Sequence, residues 1–173
     1  MPDFFEVVEG RKSIRAFKPH PIEPEKFEQL FEAVNRAPSA GNQQAFEVVR
    51  VEEKVNKEKL VRACLNQQFL GEAPLVLVFF ANSERSTPKY GERGELYAVQ
   101  DATIAAAYTQ LAAEALGLAS VWVGAFDEDE LRAAVKAPAE WKPVCVMPLG
   151  YANEKPFLTA RRIADEVFHR WGL

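Results

Sequence analysis

The chain has 173 residues, with 21 lysines and arginines against 25 acids, a net charge of −4, and is 48% hydrophobic and 27% charged. That length favours one domain, 1–173, and that composition excludes disorder and low complexity. The acidic balance argues against a partner of duplex nucleic acid, which carries a basic excess, though it leaves room for a local basic pocket.

Asp3 caps a short first helix, with Glu6 three residues on as in a capping box, Phe4, Phe5, Val7 and Val8 on its apolar side, and Gly10 at its end. Arg11-Lys12-Ser13-Ile14-Arg15-Ala16-Phe17 is basic and partly alternating, and a Pro-rich turn runs from Lys18 to Pro21. A second helix starts near Pro24, a favoured first-turn position. Its apolar residues Phe27, Leu30, Phe31 and Val34 recur at i, i+3, i+4 and i+7, and Pro38 stops it. Residues 38–44 form a loop of small and amide side chains, 46–51 a strand and 57–65 a short helix. Residues 75–81 are continuously apolar, as in a strand buried on both faces. Residues 82–95 are polar, with Pro88, Gly91 and Gly94, and read as a loop or lid.

The longest helix spans 97–116. Its many alanines allow close approach of another helix, and Gly117 terminates it. Residues 120–125 form a strand candidate, Asp127 caps a short helix with Glu130 at its third position, 144–149 form a strand, and the tail from Thr159 is partly helical. Strands separated by helices without regular βαβ alternation imply an α+β or mixed layer fold.

What the chain lacks narrows its chemistry. Its two histidines, His20 and His169, form no HExxH motif, so a histidine-based metal site is not expected. GxSxG, GxGxxG and GxxxxGK[ST] are all absent. Cys64 and Cys145 form no CxxC pair, which suits a reducing cytosol rather than a disulfide framework. No apolar run reaches the length of a membrane span, and the acidic N-terminus does not read as a signal peptide. A cytoplasmic location without a membrane partner is the expectation.

Four segments carry candidate chemistry. In Arg11 to Arg15, guanidinium, ammonium and hydroxyl groups suit a phosphate, although runs of this kind also occur as solvated patches. In 38–44, Ser39, Asn42 and Gln44 offer donors and acceptors for the edge of a heteroaromatic ring, or simply for their own backbone. In Trp122-Val123-Gly124, a glycine ending an apolar strand admits a ligand to the backbone, while Trp122 by itself reads as a core aromatic. Arg161-Arg162 is uninformative alone.

In this order, RKSIRAF, APSAGNQQ, the D-x-x-x-A-A helix with ALGLASVWVGAF, and MPLGY resemble the nitroreductase family of FMN-dependent oxidoreductases, from Glu9 to about Trp171. The resemblance implies a mainly antiparallel central sheet flanked by helices, with FMN at a homodimer interface. It implies that Arg11, Lys12 and Ser13 hold the FMN phosphate and ribityl chain, that Arg15 lies against the flavin pyrimidine edge, and that Arg161 or Arg162 adds a phosphate contact. Pro38, Ser39, Asn42 and Gln44 would reach the flavin of the partner subunit. Val123 and Gly124 would present backbone N–H groups to the central ring, with Asn66 or Gln67 near it. No catalytic side chain is implied, because the flavin performs the chemistry.

The implied reaction is ping-pong reduction of nitroaromatic, quinone or similar flat acceptors by NADH or NADPH. The alternatives on the same scaffold are flavin reduction, reductive dehalogenation, and FMN storage or sensing. Two departures bear on the acceptor. Ala45 and Phe46 follow Gln44 where the family has proline and tryptophan, and 82–95 is short for an excursion over the flavin.

Overall fold

The computed structural model describes residues 2–157 and 159–171. Its helices are α1 (Phe4–Gly10), α2 (Pro24–Asn35), α3 (Lys54–Ala63), α4 (Phe69–Glu72), α5 (Thr87–Tyr90), α6 (Arg93–Ala115) and α7 (Glu128–Val135). Its strands are β1 (Phe46–Val51), β2 (Leu75–Asn82), β3 (Ala119–Ser120) and β4 (Trp141–Gly150), in the order β1-β2-β4-β3 with every pairing antiparallel.

Local chemistry explains the ends of these elements. Asp3 accepts from the Phe5 and Glu6 N–H groups, and Glu6 reaches back to the Asp3 N–H at 2.8 Å, completing a capping box. Pro24 opens α2 where its missing N–H costs nothing. Asp127 caps α7 through the Glu130 N–H.

Every residue of β2 is buried, which fits an apolar run covered on both faces. Val76, Val78 and Phe80 pack towards α3 and α7 with Leu60, Val61 and Leu131. Leu75, Leu77 and Phe79 pack towards α2 and α6 with Leu30, Val34, Ala105 and Ala106. The result is a three-layer α+β sandwich. Phe79 and Phe80 are fully buried, each contributing roughly 2–3 kcal/mol by area. Lys57 is buried as well. Its Nζ donates to the Ala73 carbonyl at 2.6 Å, tying α3 to the entry of β2, and burial pushes its pKa down.

Five expectations change. The strand expected over 120–125 is only Ala119–Ser120, followed by one bridge in which Val123 and Val146 exchange both hydrogen bonds. In the same register Val121 faces Pro148, which has no N–H to donate, so the ladder breaks there. Residues 82–95 are not a lid. Buried Ser86 donates to the Gly94 carbonyl at 2.6 Å, and a β-carbon at Gly94 would meet the Thr87 backbone at 2.6 Å, so α5 is folded tightly onto α6. That contact also starts α6 four residues earlier than expected, while α3 runs three residues earlier than 57–65 and ends before Cys64. Finally, among the described residues the tail from Thr159 has one short turn, Ala164–Glu166, and is exposed throughout.

Candidate functional site

The basic run is held as an extended ribbon. Ser13 bridges Ser120, the Ile14 N–H donates to the Ser120 carbonyl at 3.1 Å, and Phe17 bridges Ala152. Ile14 points into the core, so its neighbours Ser13 and Arg15 face outward and are exposed, and Phe17 is buried where the ribbon ends. Arg11, Lys12, Ser13, Arg15 and Arg161 line one cleft of about 440 Å³ with Glu154, Phe157 and Thr159. Four cations face one carboxylate there, and Glu154 is already occupied by the Arg15 backbone N–H. Among the described residues no ion pair engages Arg11, Arg15 or Arg161. Arg162 is turned away, bonded to the Glu166 carbonyl and 3.8 Å from its carboxylate. This donor set fits a phosphate monoester.

The same edge leads to Gly124, four residues beyond Ser120 and so at most roughly 14 Å along the chain. Val123 differs from its expected role, since its N–H is spent on the Val146 carbonyl at 2.9 Å. Gly124 is exposed, and its N–H has no partner among the described residues. Its backbone does not require glycine, and an added β-carbon would meet only Trp122 at 3.6 Å. Nothing in the protomer calls for glycine here, whereas a flat ligand against the backbone would.

Gln67 stands beside this stretch, its Nε2 donating to the carbonyls of Cys64 at 3.0 Å and Ala125 at 3.2 Å. Leu65 and Asn66, just before it, adopt φ of 55° and 61°, and both side chains are exposed. A left-handed leucine is strained, and such strain gathers at binding sites.

The loop 38–44 lies elsewhere. Asp101 of α6, 1% exposed, accepts from the Ala40 N–H at 2.9 Å and the Ala45 N–H at 3.2 Å, gripping both ends of the loop. Within it, Ser39 Oγ accepts from the Gln44 N–H, and the Gln44 amide donates to Asn42 Oδ1. Asn42 and Gln44 both have positive φ, and Pro38 and Asn42 are exposed. Asp101 was not singled out by sequence reasoning. Its signal is that 96–113 holds no other charged residue, so a lone acid in an alanine-rich helix must be paired internally.

The loop sits at the Asp101 end of α6, whereas the basic ribbon follows α1, which packs on the Glu114 end. Thirteen residues at 1.5 Å each separate the two ends by roughly 20 Å. The cleft of Arg11 contains no residue of the loop. A larger, mostly apolar cleft of about 580 Å³ between α2 and β1 includes Gln44 but none of the cations of the first cleft.

The chain offers no redox-active thiol. Cys64 and Cys145 are free and fully buried, and burial pushes the Cys64 pKa up to about 12 and that of Cys145 higher still. Among the described residues no acid, cysteine or histidine cluster could hold a metal, and no helix is long and apolar enough to cross a membrane.

The model of the nitroreductase family matches residues 8–68 and 52–151. A relative from Archaeoglobus fulgidus is 31% identical over 98% of each chain. A Bacillus subtilis protein named FMN reductase [NAD(P)H] is 27% identical, covering 98% of this chain and 74% of its own. Among solved structures, an NADPH:FMN oxidoreductase from Vibrio harveyi complexed with NAD+ superposes with a TM-score of 0.89 at 25% identity, over 98% of this chain and 77% of that one.

Proposed function

The chain belongs to the nitroreductase family, and from that premise we propose that it is an FMN-dependent oxidoreductase that uses NADH or NADPH to reduce nitroaromatic, quinone or similar flat acceptors. FMN held in this cleft would supply the two-electron redox chemistry between nicotinamide and acceptor, in the ping-pong cycle expected of the family. The protein's part is to bind, orient and tune. Arg11, Arg161, Lys12 and Ser13 would hold the phosphate end, and the Gly124 N–H would meet the ring. Arg15, outward and without an ion pair among the described residues, would favour the negative charge that reduced flavin carries at its pyrimidine end.

A homodimer completes this site. The observation that carries the reading is the separation of its two halves along α6. Two copies related by a two-fold axis, with their α6 helices antiparallel, would bring the loop of one against the basic ribbon of the other. The exposed stripe of α6, Leu96, Gln100, Thr103 and Ala107, is uncharged. The exposed tail bears Phe157, Ile163, Val167, Phe168 and Trp171, apolar groups that a second copy would cover.

The visible spectrum tests the proposal. The purified protein should be yellow, release FMN on heating, bleach within seconds under anaerobic NADH or NADPH, and recover its colour with a quinone. A protein that stays colourless when FMN is added would overturn it, and a yellow protein that does not bleach would indicate storage or sensing.

A further inference from the structure

Behind the basic cleft lies a second, smaller cavity of about 230 Å³, and Lys12 lines both. Its one acidic wall is Glu114, near the end of α6. The carboxylate is pressed against the end of α1, where a β-carbon at Gly10 would lie 2.6 Å from Glu114 Oε1. A side chain at position 10 would displace the end of this flexible carboxylate from that contact. The charged groups facing it are Lys12 and Arg11. Gly10, Ile14, Leu118, Ala119, Ala152 and Pro156, which form most of the remaining wall, carry no charge.

Neither cation forms an ion pair with Glu114 among the described residues, and Lys12 Nζ is bonded instead to the Glu9 carbonyl. Glu114 thus acts on the phosphate-binding cations through space. Resting on the FMN reading above, we propose that Glu114 is a positioning residue that sets how tightly the cleft holds a phosphate group, its negative charge offsetting part of the attraction of Arg11 and Lys12. Without a ligand it offsets the positive charge of Arg11 and Lys12. When a phosphate arrives, the two anions compete for the same pair.

Partial burial raises the Glu114 pKa above the usual carboxylate value, against the opposing pull of Lys12 and Arg11. The ionised form is therefore disfavoured by folding, and a neutral isostere does not cost the fold its stability.

The test compares FMN with riboflavin, which lacks the phosphate, by quenching of flavin fluorescence on the flavin-free protein at pH 7. Glu114→Gln should tighten FMN about fivefold, the size of a partly screened charge–charge contact, and leave riboflavin unchanged. Glu114→Ala should shift FMN in the same direction, and neither variant should melt below the wild type. FMN affinity unchanged or weakened in both variants, or an equal gain for riboflavin, would overturn the proposal. A wild type that does not prefer FMN to riboflavin would remove the phosphate reading itself, and this inference with it.

Discussion

Arg11 and Arg15 are four residues apart on one ribbon and share one cleft, yet their work should differ. Charge-assisted bonds from Arg11 to a phosphate contribute roughly 1.5–3 kcal/mol, so Arg11→Ala should weaken FMN about ten- to a hundredfold. Excess FMN should restore much of its turnover, because the phosphate is remote from the reacting atoms. Arg15→Ala should instead lower the flavin's two-electron potential, and a shift on the order of 30 mV corresponds to about 1.4 kcal/mol. Added FMN should not restore its rate. Two variants that are both rescued by FMN, with the potential unmoved, would make Arg15 a second phosphate or surface residue. Gly124 gives a cleaner separation of folding from binding. Because its added β-carbon meets only Trp122 at 3.6 Å, Gly124→Ala should leave the melting temperature of the flavin-free protein unchanged. It should still weaken FMN at least about tenfold, because the methyl group would hold the ring away from the backbone and break one hydrogen bond to it. Equal FMN affinity in this variant would move the ring elsewhere.

At the scale of elements, α6 has two faces of different character. One side packs on the sheet through Ala98, Ala102, Ala105, Ala106 and Ala113, while the opposite stripe is uncharged and open. Ala107 is exposed in the protomer, so Ala107→Glu should fold normally by circular dichroism. At a helix–helix interface the same charge would be buried, at a cost of several kcal/mol. Sedimentation should then find monomers with poor FMN retention. An unaltered dimer would place the interface on another face.

Much of this architecture was legible in the sequence because the signals were local. The Asp3 capping box, Pro24 at the start of α2, and the unbroken run 75–81 each act within a few residues. The motif also marked Arg11, Lys12, Ser13 and Arg15, which the fold gathers in one cleft. Long-range causes were not. The shortness of β3 depends on Pro148 facing Val121 across the sheet, the folding of α5 depends on Gly94 beneath Thr87, and the loop depends on Asp101 sixty residues downstream. A reading along the chain cannot see those partners. It can see the oddity that announces one of them, a single acid in an alanine-rich helix.

For the whole molecule, the decisive question is which protomer's loop serves which protomer's cleft. On the reading proposed above, the roughly 20 Å between the Asp101 and Glu114 ends of α6 would make each site a composite of two chains, and composites have a distinctive genetics. Asp101→Asn puts an amide where the carboxylate accepts from both Ala40 and Ala45. At least one buried N–H then loses its charged acceptor, at about 1.5–3 kcal/mol, and the loop loosens. Arg11→Ala spoils the cleft and leaves the loop intact. Each variant alone should bind FMN poorly at a concentration that saturates the wild type. Now let the two be unfolded and refolded together. In every mixed dimer, one site combines the damaged cleft with the damaged loop, and the other combines two intact halves. Random pairing makes about half the dimers mixed, so about a quarter of all sites should regain tight FMN binding and turnover. If the loop served its own protomer, every site in the mixture would carry one defect and nothing would be regained. Recovery on mixing therefore requires the loop to cross the interface, and its absence in a mixture verified to contain mixed dimers would return the loop to its own chain.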